Sequence, residues 1–450
     1  MEVYPVAWSW FALPDQVWED LAPEQKPNHD GVPMPHPALI AHNSQFEKGV
    51  IDLAPGIWSA VGFAASNVHM IEGRNTVTII DTSESTKAAE NIFSEFHHRC
   101  DKPVGRIIFT HSHRDHISGA SVFCADGAVP ILASESFSSD LVGVDASVIA
   151  PHQALGRRTQ AQFGIGLSPQ QRISLGCGPG DRPMQGLGAG FMEPTESVTA
   201  DRDIDLDGVA ARLMMAPGET DDHMVVWLPA TRVLFSGDNW YHAFPNLYAI
   251  RGTPYRDFAT WADSLALLAG LEPEVLAPGH TMPVRGNKNI QEVLTTTRAA
   301  IIHVMQVTAD GMNAGMAIDD IVTSITLPAE LADKPWLQEF YGKLGWSVRA
   351  FAVGTLGWYD GNPTHLGSLS SATRAGHVAE LAGGVDALAL QAQNTDDLQW
   401  RLELCDHLLA LGYAAAELKA ATLELLAEVE INATARNTYL WEARRLREAS

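Results

Sequence analysis

Residues 110–119 read THSHRDHISG and follow the apolar run GRIIF at 105–109. Three histidines and an aspartate, His111, His113, Asp115 and His116, fall within six positions. Imidazole and carboxylate are metal ligands and proton carriers, so the spacing raises metal chemistry at once. One ion cannot comfortably take all four side chains from so short a loop. Two adjacent ions can, with His111 and His113 on one and Asp115 and His116 on the other. A polar surface turn that happens to be histidine-rich is the plainer alternative, and the spacing directly after a strand disfavours it.

The remaining ligands are expected at later strand ends. APGETDDH (216–223), FSGDN (235–239) and APGH (277–280) each place an ionisable residue right after a glycine. Glu219 would complete the first site with His111 and His113. His280 would complete the second with Asp115 and His116, and Asp238 would bridge both. Asp221, Asp222 and His223 compete with Glu219 in the same loop, and Glu219 could instead support a neighbouring ligand or cap a helix. Two close divalent ions lower the pKa of a shared water and polarise a substrate oxygen, which describes metal-assisted hydrolysis by a metal-bound hydroxide.

These residues need a scaffold that brings distant strand ends together. IWSAV (57–61), VHMIEG (68–73) and TVTIIDT (76–82) are β-branched runs broken by glycine and asparagine, and read as strands. SESTKAAENIFSEFHHRC (83–100) spaces its apolar residues as a helix does. The alternation continues with GRIIFT, VPILA (129–133) and a helix at ESFSSDLV (135–142). Strands are expected again at 210–217, 224–229, 232–238 and 274–280, with a helix at 258–270. This predicts an α/β fold whose sites lie at the carboxyl ends of strands. Residues 143–200 read as a long glycine-rich, loop-like insertion, of a kind that is usually functional or disordered. From about 288 the pattern is helical, including 291–312, 336–354 and four or five helices after 371. A boundary near 366–372 divides a domain at 1–368 from a helical one at 369–450.

Composition narrows the partners. Lys plus Arg number 30 against 54 Asp plus Glu, a net charge of −24, which argues against nucleic acid or an anionic membrane as partner. No stretch predicts a membrane span, and the first residues lack the pattern of a signal peptide. The four cysteines are scattered and form no Cys-x-x-Cys, so they are expected to be reduced thiols of a cytoplasmic protein without a catalytic role.

With the motif and its partners assembled, the sequence resembles the metallo-β-lactamase superfamily, whose motif HSHRDH matches in full. Within it the chain is similar to the alkyl sulfatases. The resemblance lies in KGVIDLAPGIWSAVGFAASNVHMIEG (48–73), GRRTQAQFG (156–164), GLGAGFMEPT (186–195), NLYAIRGTPYRD (246–257), LGWYDGNPTHL (356–366) and NATARNTYLWEARRLRE (432–448). It implies an αββα four-layer sandwich with a C-terminal all-α domain through which the chain homodimerises. It also implies two zinc ions per chain on the ligands named above, with manganese or iron as alternatives, and hydrolysis of sulfate esters. Asp115 is then both ligand and catalytic residue. Arg251 falls on the sulfate-contacting arginine, and Asn246 and Arg256 lie in the same substrate-binding stretch. A guanidinium fork suits a tetrahedral oxyanion, although Arg256 could equally pair with a carboxylate. His242 falls on a family histidine that either protonates the leaving oxygen or orients a ligand.

The sequence also departs from this family. Gly218-Glu219-Thr220 stands where members read Gly-Thr-Glu, Asp238 replaces a glutamate, and Ser118 replaces a glycine. The sequence stops at 450 without the sterol-carrier-like domain that usually follows, which makes detergent-like substrates a weaker expectation than the hydrolytic chemistry. The alternatives are a lactam, lactone or thioester hydrolase of the same fold, a di-iron redox protein, and an inactive scaffold acting through its helical tail. A di-iron member would carry glutamate at position 113 and a flavin module, and an inactive scaffold would not need the full ligand set.

Overall fold

The computed structural model describes residues 32–124, 127, 129–138 and 152–449. They form two compact units. Among the described residues, one lies within 42–158 and 174–366, the other within 32–41, 159–173 and 367–449.

The larger unit is built on two sheets. The first has seven strands in sequence order: β1 (Gly49–Ala54), β2 (Ile57–Val61), β3 (Val68–Glu72), β4 (Val77–Ile80), β5 (Val104–Ile108), β6 (Ile131–Ser134) and β7 (Glu196–Val198). The second has six: β8 (Arg202–Asp205), β9 (Ala210–Met215), β10 (Met224–Leu228), β11 (Val233–Gly237), β12 (Val275–Pro278) and β13 (Val284–Arg285). Most neighbours are antiparallel. The exceptions are the parallel run β4 to β7 and the parallel pair β11–β12.

Alternation along each strand decides what faces what. Ile71, Ile80, Ile108 and Leu132 of the first sheet meet Leu213, Val226, Val233 and Phe235 of the second in one apolar layer. The opposite face of the first sheet packs Met70, Ile79 and Ile107 against Ile92 and Phe96 of helix Thr86–His97. The outer face of the second packs Val225, Leu234 and Leu276 against Trp261 and Leu265 of helix Phe258–Gly270 and Leu294 and Ile301 of helix Asn287–Asn313. The result is the four-layer αββα sandwich. Caps fix the helix starts: Ser85 accepts from the Ala88 amide and Asp257 from that of Thr260.

The smaller unit ends in five helices, Ser371–Ala382, Val385–Asn394, Leu398–Ala410, Ala416–Val429 and Ala433–Glu448. Arg436 is fully buried there, and its guanidinium donates to the Pro33 carbonyl at 2.9 Å and to that of Gln171. It therefore ties three distant segments of this unit together. No helix among the described residues is long and apolar enough to cross a membrane.

Three expectations need correcting. The 143–200 stretch is not all loop: His152–Gln162 is a helix, and its residues HQALGRRTQAQ are too polar to show a buried stripe. Gln338 to Lys343 interrupts the helix expected over 336–354, which begins only at Leu344. Gly342 donates to the Phe244 carbonyl, and a Cβ on it would meet the Pro245 carbonyl at 2.1 Å, so tertiary packing overrides local propensity. Glu135 and Ser136 form a turn rather than a helix start. Residues 139–142 of that expected helix, like 143–151 and 1–31, lie outside the described residues.

His69 and His42 are among the histidines that burial holds neutral. Burial pushes His69 and His42 down to about 4, against weaker opposing contributions from Asp81 and the Gly176 carbonyl. In the unfolded chain both titrate near the ordinary value of about 6.5. Between these values the unfolded state binds protons that the folded state refuses, so stability falls as pH drops from about 6.5 to about 4 and is unaffected by these groups above that window. Each contributes at most about 3 kcal/mol. Urea unfolding followed across this range should show a falling midpoint, and a midpoint constant from pH 7 to 4 would contradict the assignment.

Candidate metal centre

The parallel pairing of β4 with β5 puts Asp81 beside the HSHRDH loop. Asp81 has a positive φ of 59° and accepts from the Thr110 amide at 2.8 Å and the Thr110 hydroxyl at 2.9 Å. Its second oxygen also faces His116 Nδ1 at 2.8 Å. The Thr110 hydroxyl in turn lies 2.9 Å from His111 Nδ1. The Thr110 hydroxyl uses its hydrogen on Asp81, so its oxygen accepts from His111 Nδ1. His280 Nδ1 donates to the Ala65 carbonyl at 2.7 Å. These partners anchor the Nδ1 side of all three rings, so each Nε2 is directed inward, where an ion would take the place of its proton.

The three Nε2 atoms converge on Asp238. Its carboxylate lies 3.4 Å from His111 Nε2, 3.3 Å from His116 Nε2 and 3.2 Å from His280 Nε2. The parallel pair β11–β12 brings Asp238 and His280 together, and two glycines permit the approach. A Cβ on Gly279 would meet Asp238 Oδ1 at 2.4 Å, and one on Gly237, whose φ is 49°, would meet His223 Nε2 at 2.5 Å. Asp115 Oδ2 reaches His116 Nε2 at 3.6 Å and His280 Nε2 at 3.4 Å. His113 Nδ1 lies 3.0 Å from His111 Nε2 and 3.9 Å from Glu219 Oε1.

Ligand atoms within 4.8 Å of one another form three overlapping groups: His111, His116 and Asp238; Asp115, His116 and His280; His113, Glu219 and Asp238. The seven residues singled out in the sequence thus come together. The donor set fits divalent metal. Glu219 Oε2 is buried without any hydrogen-bond partner, a costly state for a polar atom unless something binds it, and His116 Nε2 and Asp238 Oδ1 meet each other only at 3.3 Å. Burial alone would favour a neutral Asp238, yet His116, His280 and His111 hold it well below the usual carboxylate range. Asp238 in turn raises His116 and His280 against the effect of burial.

The competing ligands separate. His223 uses Nε2 to accept from the Asp238 amide at 3.0 Å, so it supports the bridging position rather than offering that nitrogen to an ion. Asp221 is exposed and Asp222 is buried, and neither joins a ligand group. Arg256 is buried with Glu219, its Nη1 2.8 Å from Oε1, and also donates to the Asn246 carbonyl. Burial raises Glu219 and Arg256 works against that rise. Arg251 stands at the cluster, its Nη2 3.5 Å from His113 Nε2. His242 donates its amide to Thr281 Oγ1 at 3.1 Å and packs its ring 6.0 Å from His42 and 6.3 Å from Trp336; no ligand group includes it.

Sequence reasoning missed Asp81, Thr110, Ala65 and Asn239. Asn239 holds the Ala216 carbonyl at 2.7 Å and the Trp261 indole at 3.0 Å, beneath the Glu219 loop. Only Asp81 left a signal, as an acid ending the β-branched run TVTII.

Comparison with known proteins follows the same lines. A family model described as the metallo-beta-lactamase superfamily matches residues 61–280, and one described as alkyl sulfatase dimerisation matches 317–449. A linear primary-alkylsulfatase of Pseudomonas sp. (strain ATCC 19151) is 32% identical over 84% of this chain and 73% of its own. An alkyl/aryl-sulfatase of Saccharomyces cerevisiae is 32% identical over 89% of this chain, which spans 64% of that protein. Among solved structures, the stereoselective inverting sec-alkylsulfatase Pisa1 from Pseudomonas sp. superposes with a TM-score of 0.82 at 26% identity, covering 92% of this chain and 68% of that one.

The Asp81 contacts yield a direct test. Asp81→Asn removes the acceptor that fixes His116 while keeping shape, and should weaken metal binding about 10- to 100-fold. Competition against a chromophoric chelator measures this, and an affinity equal to wild type would show that Asp81 does not set the ligand.

Proposed function

The chain belongs to the alkylsulfatase family of the metallo-beta-lactamase superfamily, and we propose that it hydrolyses sulfate esters at the Asp238 cluster with two divalent metal ions, zinc in the first instance. The observation that carries this reading is the convergence of three histidines, each anchored at Nδ1, on one buried carboxylate. His111, His113 and Glu219 would hold one ion and Asp115, His116 and His280 the other, with Asp238 between them. When bound, such a pair supplies acidified water and Lewis-acid polarisation of the ester.

The rest is the work of this chain's own groups. Arg251, beside His113, presents a guanidinium suited to the sulfate oxygens. Arg256 is committed to Glu219, so we assign it to holding that carboxylate rather than to the substrate. Asn246 anchors Arg256 through its backbone carbonyl, and its side-chain amide is assigned to the sulfate only by its place in the same 246–257 stretch as Arg251. Burial lowers His242, which makes its imidazole neutral at pH 7 and a poor proton donor; orientation of the Thr281–His280 turn is the role its position favours. Overall, a sulfate ester and water give an alcohol, sulfate and a proton. The helices matched at 317–449 support a homodimer, the division near residue 368 belongs to the same reading, and four unpaired cysteines fit a reducing cytoplasm.

Metal-loaded protein should release sulfate from medium-chain or aryl sulfate esters, detected as free sulfate. Turnover of a lactam, lactone or thioester panel with sulfate esters untouched would overturn the substrate assignment. Arg251→Ala should lower kcat/KM for the ester about 10- to 100-fold, the worth of a charged hydrogen bond, with metal content unchanged. Loss of metal instead would assign Arg251 to the ligand shell.

A further inference from the structure

We infer that the glycine-rich insertion at 174–190 is a positioning device for the metal ligand His280, acting through Arg182, Glu84 and the Ala65 segment. This rests on the assignment of His280 as a ligand. Arg182 grips Glu84 with two prongs, Nε to Oε1 at 2.5 Å and Nη2 to Oε2 at 3.0 Å, and both side chains are buried. Glu84 Oε1 also accepts from the Ala65 amide at 2.9 Å. The Ala65 carbonyl is the group that orients His280 at 2.7 Å. The amide and carbonyl of Ala65 belong to successive peptide units, so the link is mechanical rather than electronic.

The same segment braces the rest of that ligand loop. Asn67 donates its amide to the Gly279 carbonyl at 2.7 Å and its side-chain nitrogen to Pro278 and Thr281 at 2.9 and 2.8 Å. Ser66 donates to the Asp115 carbonyl. The insertion also presses on Ala65 from its other end. Leu175 to Gly178 closes a turn with a 2.9 Å hydrogen bond, and a Cβ on Gly178 would meet the Ala65 carbonyl at 2.4 Å. Beyond Arg182 the insertion is latched along 84–87: Ser85 Oγ to Pro183 at 2.9 Å, Lys87 to Gln185 at 3.2 Å, and Gly188 to Glu84 at 3.1 Å. A stretch that would otherwise be loose is therefore locked onto the residue that aims a ligand.

Two variants approach Ala65 independently. Arg182→Lys keeps the buried charge but loses the two-pronged hold, and Gly178→Ala displaces the Ala65 carbonyl without touching the ion pair. Zinc affinity by chelator competition and the visible spectrum of the cobalt-substituted protein are read on the full chain. Both variants should bind the weaker-held ion about tenfold or more less tightly, as loss of an outer partner does, with a changed cobalt spectrum. Ser85→Ala removes a helix cap and one latch contact but leaves Glu84 on Ala65. It should lower thermal stability yet keep wild-type affinity and spectrum. Two metals in wild type, with both variants matching it in affinity and spectrum, would overturn the inference while leaving the hydrolase reading intact. A wild type that binds no metal would defeat that reading and this inference together.

Discussion

Asp238 is the point on which the larger unit turns. A carboxylate 2% exposed would be neutral in an apolar interior, because desolvation of the charge is costly. Here His111, His116 and His280 surround it within 3.4 Å and hold it ionised. That charge is sustained only if three chain segments, from β5, β11 and β12, end at the same place. The inter-sheet apolar layer, the two parallel pairings and the glycines at 237 and 279 all serve that convergence.

Each histidine is then aimed by a partner outside the cluster. Asp81, Thr110 and the Ala65 carbonyl take the Nδ1 side of three rings, so each Nε2 points inward before any ion arrives. Such preorganisation costs stability, since it leaves buried atoms unpartnered, and it is offset only when a ligand binds. The Glu219–Arg256 pair brings a second buried charge beside it and leaves Glu219 Oε2 free. The guanidinium thus tethers the carboxylate by one oxygen and spares the other.

Much of this was readable in the residues. HSHRDH, Glu219, Asp238 and His280 carry ligand chemistry in their types, and each follows an apolar strand, so their meeting follows from the topology of an α/β sheet. Helix 258–270 was legible to the residue because its apolar spacing and the Asp257 cap agree. The outer partners were not: Ala65 acts through its backbone, which any residue has, and Asn239 acts beneath a loop with no spacing rule. Helix 152–162 was hidden because its polar sequence buries little, and the break at 338–343 because a contact with Pro245, distant in sequence, decides it. Arg256 was ambiguous for a related reason: a guanidinium serves sulfate or carboxylate equally, and only the fold says which stands nearby.

The central claim is that the Asp238 cluster is a two-ion site. Anomalous scattering at the zinc edge, from crystals of the zinc-loaded protein, addresses it most directly. The account predicts two peaks, one between His111, His113 and Glu219 and one between Asp115, His116 and His280, with Asp238 touching both. A single peak, or none inside the cluster with Glu219 held by Arg256 alone, would contradict it.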